Sequence, residues 1–306
     1  MLNLHRLRLL VELQRRGTVT QVAQALSYSP STISAQLAQL ERETGADLLE
    51  PVGRRVRLTA AGETLVRHAE RILLQIDQAE ADLARARADL GGQVRVATFQ
   101  TAAIALVPTL LETLSRDHPA VEVYLSEILP DAGTSALLAR DFDLVLGEQY
   151  PGPPPAPARG IDRQHLFSDP MSCYTPSAWA AHATRLADLA DRPWVLEPRD
   201  KPARAWAESV CRAAGFEPRV RFESADLLVH VRLAETGHAV ALLPDLLWAA
   251  RRPEADRLPL PDHPAREVYT AVRRGAETRP VLVELRRALA EVSIGLLQQV
   301  RPHEPV

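Results

Sequence analysis

Residues 18–40, TVTQVAQALSYSPSTISAQLAQL, constrain this chain more than any other stretch, because their apolar positions divide into two short helices around a break. Val22, Ala23 and Leu26 make one inward face, and Ile33, Leu37 and Leu40 make the next, each at helical spacing. The break is Ser27-Tyr28-Ser29-Pro30. The outer face of the second helix begins with Ser31, Thr32 and Ser34, followed by Gln36. Small hydroxyls reach phosphates and base edges without bulk, and a helix N-terminus favours an anion. This is how the second helix of a helix-turn-helix enters a major groove. Two packed helices of an ordinary α domain share the same spacing, so the following segment decides.

Residues 48–58 form two alternating stretches around Gly53, the pattern of a β-hairpin. The hairpin carries Arg54, Arg55 and Arg57, and directly behind a recognition helix it reads as a wing placed against the DNA backbone or minor groove. Residues 1–60 sum to +3, whereas the whole chain is −3, so the remainder is −6. A basic head on an acidic body suits a protein that docks on DNA through one end. The expected DNA contacts are Ser29, Ser31, Thr32, Ser34, Gln36, Arg54 and Arg55.

Thr59 is placed to cap a long helix. Along it Leu65, Ala69, Ile72, Ile76, Ala79 and Leu83, continued by Ala86 and Leu90, alternate by four and three, a heptad seam of more than three repeats. Charged residues lie off the seam, and Gly91-Gly92 ends the helix. One narrow apolar stripe on so long a helix predicts self-association. Two recognition helices about 34–36 Å apart would then read a dyad-symmetric site.

Beyond the glycines, strands and helices alternate: strand-like runs at 94–99, 121–125 and 142–146, with helices at 106–114 and 135–140 between them. That alternation predicts a parallel α/β sheet. A proline-rich stretch at 150–157 reads as a crossing. A second set follows, with strands near 171–174, 194–196, 220–222 and 240–244 and helices at 202–214 and through Val231. Strand 267–272 and helix 281–297 return to the first set. The expected organisation is a winged helix-turn-helix over 1–58, a linker and dimerisation helix over 59–91, and a two-lobed α/β domain over 92–306. Lobe I takes 92–162 and 267–306, and lobe II takes 163–266. Two lobes make a cleft, the usual place for a small ligand. Thr98, Phe99, Gln100, Thr101, Glu127, Glu148 and Ser224 fall at strand ends facing it. The hydroxyls and N–H groups at 98–101 suggest a carboxylate. Arg199 and Lys201 read as solvated loop residues.

The exclusions are short. No run of about 18 apolar residues spans a membrane, and the amphipathic N-terminus lacks a secretory core, so a cytoplasmic location is expected. Cys173 and Cys211 make no disulfide framework and read as buried, unreactive thiols. The nine histidines show no metal spacing. No nucleotide loop or nucleophile motif is present, so neither catalysis nor a cofactor is expected.

In register and without a gap, the N-terminal residues resemble the LysR-type transcriptional regulators. The matching positions include Leu7 through Glu12, Gly17-Thr18-Val19-Thr20, Val22-Ala23, Ile33-Ser34, Gln36, Leu40-Glu41, Gly53-Arg54 and Val56-Arg57-Leu58-Thr59. The body matches through Leu106-Val107-Pro108, His118-Pro119, Phe142-Asp143-Leu144 and Ala241-Leu242-Leu243-Pro244. The resemblance implies a dimer or dimer of dimers on promoter DNA. It also implies a domain similar to periplasmic solute-binding proteins, where a small effector alters DNA bending and contact with RNA polymerase. The chain departs from the family at Pro30, Ser31 and Ala35, where Gln, Pro and Arg are common, and at Pro51, where Arg often follows the Glu. Two other readings remain open at this point: an architectural DNA binder without an effector, and a solute-binding protein dimerised by its N-terminal helices.

Overall fold

The computed structural model describes residues 1–300 apart from 27, 54, 88–89, 129–131, 153–157 and 250–252, and leaves out the side chains of 55 and 297–300. The chain begins with α1 (Leu4–Arg16), α2 (Val19–Ala25) and α3 (Pro30–Thr44), then a hairpin of β1 (Leu49–Val52) and β2 (Arg55–Leu58). Thr18 caps α2 by accepting from the Gln21 N–H at 3.2 Å. Val22, Ile33, Leu37 and Leu40 are fully buried with Leu7, Leu10 and Val11 of α1, one contiguous core. Both helix faces read from the sequence are therefore the faces that pack. The carboxylate of Glu41 accepts from the Leu48 and Leu49 N–H groups at 2.9 and 3.0 Å, tying α3 to the wing.

Thr59 caps α4 (Ala60–Ala86) by accepting from Gly62 N–H at 3.1 Å. The first half of the heptad stripe serves its own domain: Ala69 is fully buried in the head's core, with Leu65 and Ile72 packed against it. Ala69 is thus not a dimer contact. Heptad spacing reports an apolar stripe but not which surface covers it. Ala79 is exposed, and Leu83 is 60% exposed.

The body contains β3 (Gly92–Thr98), α5 (Gln100–Ala105), α6 (Val107–Asp117), β4 (Val121–Glu127), α7 (Gly133–Leu138), β5 (Leu144–Gln149) and the long β6 (Ile161–Thr175). After α8 (Ser177–Ala180) come β7 (Pro193–Leu196), α9 (Pro202–Ala213), β8 (Arg219–Glu223), α10 (Leu227–Glu235), β9 (Ala241–Pro244), β10 (Asp256–Leu258), β11 (Ala265–Arg273) and α11 (Pro280–Val300). The sheet of lobe I is mixed. β3 pairs in parallel with β4 and β5, but β11 lies antiparallel between β5 and β6. The alternation of strand and helix predicted a parallel sheet because it cannot see the direction of a strand returning from the far end of the chain.

β6 is the crossing. Residues 161–170 pair with β11 in lobe I, while 171–174 pair with β9 in lobe II. The crossing therefore falls inside β6 rather than at 163. Its first ten residues, IDRQHLFSDP, have a polar, proline-ended pattern that hides a strand held on an edge by backbone bonds. Residues alternate between the two faces of β3, β5 and β11: Val94, Val96, Leu144, Leu146, Val268 and Val272 pack under α6 and α11, and Ala97, Val145 and Ala271 pack under α7. Lobe II is built around Cys173, Trp194, Trp206 and Cys211. Burial holds both thiols in the protonated form, pushing Cys211 up to about 12 and Cys173 further.

Candidate nucleic-acid interface and ligand cleft

At the N-terminus of α3 the side chains form a hydroxyl cluster. Ser29 caps the helix, its Oγ accepting from the Thr32 N–H at 3.1 Å. The same Oγ lies 2.8 Å from both the Ser31 and Thr32 hydroxyls. Ser29, Ser31, Thr32 and Ser34 are all exposed, while Ile33 between them is buried. The helix thus buries one face and presents a row of small donors and acceptors on the other. Gln36 sits at the edge of that row, and its Oε1 accepts from Arg6 Nε at 2.9 Å. Arg6 also pairs with Glu43. Gln36 therefore braces α3 on α1 and keeps only its amide donors for an outside partner. Of the wing arginines, Arg54 lies outside the described residues, as does the Arg55 side chain. Arg57 is held by Glu50 across the hairpin, with Nε at 2.9 Å.

The cleft between the lobes is organised by a residue the sequence did not single out. Arg266, on β11, is fully buried. Its Nε donates to Asp169 at 2.9 Å, Nη2 donates to the Thr101 hydroxyl at 2.6 Å, and Nη1 pairs with Glu148. Its guanidinium lies 5.2 Å from the Phe99 ring centroid. Asp169 also accepts from the Leu246 N–H at 2.9 Å. Burial pushes the Glu148 carboxyl up, with Arg266 opposing. Glu197, from the end of β7 in lobe II, is pushed up to about 7, mainly by burial and further by Glu148. Two adjoining cavities of about 630 and 70 Å³ share Glu148, Glu197 and Lys201. Tyr150, Trp206 and Tyr269 wall the larger one. The Tyr269 ring lies over Gly147, where a Cβ would stand 2.3 Å from the ring, and the Arg163 guanidinium lies 3.5 Å from that ring's centroid.

Five of the seven expected cleft residues line it: Phe99, Gln100, Thr101, Glu127 and Glu148. Thr98 and Ser224 do not. Thr98 is fully buried within β3, and the Ser224 hydroxyl accepts from the Asp226 N–H at 3.1 Å, closing a turn. Gln100 clasps the lobes together, donating to Asp226 at 2.7 Å and accepting from the Leu227 N–H at 3.0 Å. Lys201, which reads in the sequence as a loop residue, is 8% exposed and lines both cavities. Arg266, Asp169 and Glu197 lay beyond sequence reasoning because each comes from a different strand, with no local pattern. Among the described residues, no group of three His, Cys, Asp or Glu side chains is placed to hold a metal.

A small, exposed reading head joined by a helix to a two-lobed ligand domain defines a transcriptional regulator of the winged-helix class. Residues 4–63 match the bacterial regulatory helix-turn-helix model of the lysR family, and residues 87–293 match the LysR substrate binding domain. The chain belongs to the LysR family of DNA-binding transcriptional regulators. It is 30% identical over 255 residues to the transcriptional dual regulator GltC of Bacillus subtilis (strain 168), covering 82% of this chain and 84% of that one. Among solved structures it shares its fold with a cysteine-to-aspartate variant of full-length OxyR from Pseudomonas aeruginosa (TM-score 0.64, 22% identity, 100% and 99% of the two chains). It is also similar to CbnR in complex with its target DNA (TM-score 0.51, 23% identity, 95% and 100% covered).

Proposed function

We propose that a dimer or dimer of dimers of this chain binds an imperfect dyad through the two α3 N-termini and their wings. A small molecule in the interlobe cleft modulates that binding and the contact with RNA polymerase. The protein acts in the cytoplasm by binding alone, without catalysing a reaction. The observation that carries the reading is the α3 hydroxyl row: four exposed polar side chains at the N-terminus of a helix whose other face is buried. Such a row is read by DNA rather than by protein packing. A DNase I footprint on the sequence upstream of the protein's own gene tests it. A protected, dyad-symmetric patch whose affinity falls steeply with salt is expected. Uniform binding with no protected patch would return the protein to an architectural role.

The charges in the cleft argue against the plain carboxylate that the 98–101 segment suggests. The Thr101 hydroxyl and the Gln100 amide are engaged by Arg266 and lobe II. Arg266 already faces two carboxylates, and Glu127 and Glu197 add two more against Lys201 and Arg163, so carboxylates outnumber cations four to three. A ligand carrying an ammonium or another donor-rich group beside Glu148 and Glu197 balances that set. A bare carboxylate adds to the repulsion. Screening polar metabolites by thermal shift separates the classes: amine-bearing compounds are expected to stabilise the protein, more strongly above pH 7 where Glu197 is ionised. Stabilisation by simple carboxylates alone would reverse the assignment.

A further inference from the structure

One large cavity belongs to neither surface. It lies where α4 meets lobe I and has a volume of about 310 Å³, in the range of small-molecule sites. Its lining holds seven arginines against two acids, Glu70 and Asp77. Asp77 is buried and already shared: Arg140 and Arg273 lie 3.0 and 3.3 Å from the same Oδ1. Glu70 is taken by Arg15 at 3.1 Å. The seam is tightly built. Arg140 donates to the Leu73 carbonyl of α4 at 3.3 Å. Gly275, at φ +96°, lets the lobe I turn approach so closely that a Cβ would stand 2.9 Å from the Leu74 carbonyl oxygen.

The remaining cations are uncompensated. Arg71, Arg159 and Arg274 are exposed, and among the described residues no carboxylate lies within ion-pair distance of them. Among the described residues, Arg67 reaches only the Thr64 hydroxyl, at 2.9 Å. Four guanidiniums around one cavity set up a positive field that favours an anion between them. Arginine forks match phosphate oxygens in pairs, and each pair adds geometric selectivity as well as charge. We infer that this seam is a second ligand site, distinct from the interlobe cleft, for a compact anion bearing two or more phosphate groups.

At 3.6 residues per turn, Arg67, Arg71 and Leu74 lie roughly 150° around α4 from Ile76, Ala79 and Leu83, the part of the stripe outside the head's own core. A partner helix on that part of the stripe leaves the cavity open. Arg67 and Arg71 ride on the helix that carries the reading head, whereas Arg159 and Arg274 belong to lobe I. An anion held by both sets fixes the angle between the head and the ligand domain, so occupancy biases the arrangement of the two heads on DNA.

Isothermal titration of inorganic tripolyphosphate into the full-length protein tests the site, using wild type, the double variant Arg71→Glu with Arg274→Glu, and Arg219→Glu on lobe II as a charge control. All three substitutions are on exposed residues, and unchanged melting temperatures verify the fold. Saturable binding of one ion per chain is expected. The double variant should weaken it by about tenfold or more through charge reversal, with the control unchanged and binding retained on saturating operator DNA. Absence of saturable binding, or equal binding by the double variant, would overturn the inference. Displacement of tripolyphosphate by DNA would instead assign these arginines to the DNA backbone.

Discussion

The reading head and the interlobe cleft both concentrate polar residues, yet they handle them oppositely. At the N-terminus of α3 the hydroxyls are exposed, neutral and bonded to near neighbours, Ser29 with Ser31 and Thr32. In the cleft they are charged, buried and bonded across the fold, Arg266 with Thr101, Glu148 and Asp169. A surface that meets DNA keeps its donors free until the partner arrives, and water satisfies them meanwhile. A cleft that must keep two lobes in register satisfies its groups internally, since an unpaired buried charge costs several kcal/mol. Substitutions on the head should therefore act on binding and add independently. Those in the cleft should act on stability and couple strongly.

The sharpest way to break this contrast is Arg266→Ala. It leaves Glu148 and Asp169 buried without their counter-charge, and a loss of about 3–5 kcal/mol in urea unfolding is expected. Adding Glu148→Gln should recover part of that loss, because the second substitution removes one of the stranded charges. Strictly additive losses would show that Arg266 and its carboxylates do not act as one unit.

A smaller effect follows from Glu197. Its carboxyl is held up to about 7 in the folded protein, chiefly by burial. Between about pH 4.5 and 7 the folded state then binds more protons than the unfolded chain, so stability falls as pH rises through that window and levels off above it. The Glu197→Gln variant should lose this slope and be more stable than wild type above pH 7, by no more than about 3 kcal/mol. Wild-type and variant profiles that run parallel across the window would place Glu197 in contact with water.

The same contrast explains what the sequence could reveal. The apolar faces of α2 and α3 repeat within single short helices, so periodicity alone exposes Val22, Ile33 and Leu37. Arg266 meets Thr101, Glu148 and Asp169 only after β11 inserts antiparallel between β5 and β6, and no local spacing encodes that insertion. Of the cleft residues, only those trailing a recognisable strand, such as Phe99 and Glu148, were legible. Asp77 on α4 follows the same rule: it is 5% exposed because Arg273 and Arg140 reach it from lobe I, a contact that no local spacing encodes.

On the head, Thr32→Ala and Ser34→Ala remove exposed hydroxyls without disturbing the core. Each should weaken operator binding by about 1 kcal/mol, nearly additively, with unfolding unchanged. Footprint titrations check this, and operator affinity unmoved by both would take the outer face of α3 out of the groove.

The finest distinction concerns Ser29, which caps α3 and also heads the exposed hydroxyl row proposed to meet the DNA backbone. Ser29→Ala mixes the two roles: it costs about 1 kcal/mol of stability through the lost cap and perturbs binding indirectly. Ser29→Asp separates them. Aspartate caps a helix as well as serine does, and its charge suits the positive end of the helix dipole, so stability should hold within about half a kcal/mol. The same carboxylate placed against the DNA backbone repels it. Operator affinity should therefore fall more for Ser29→Asp than for Ser29→Ala, even though the aspartate variant is the more stable of the two. Equal affinities would mean that the α3 N-terminus stands clear of the phosphates and that the hydroxyl row serves the fold alone.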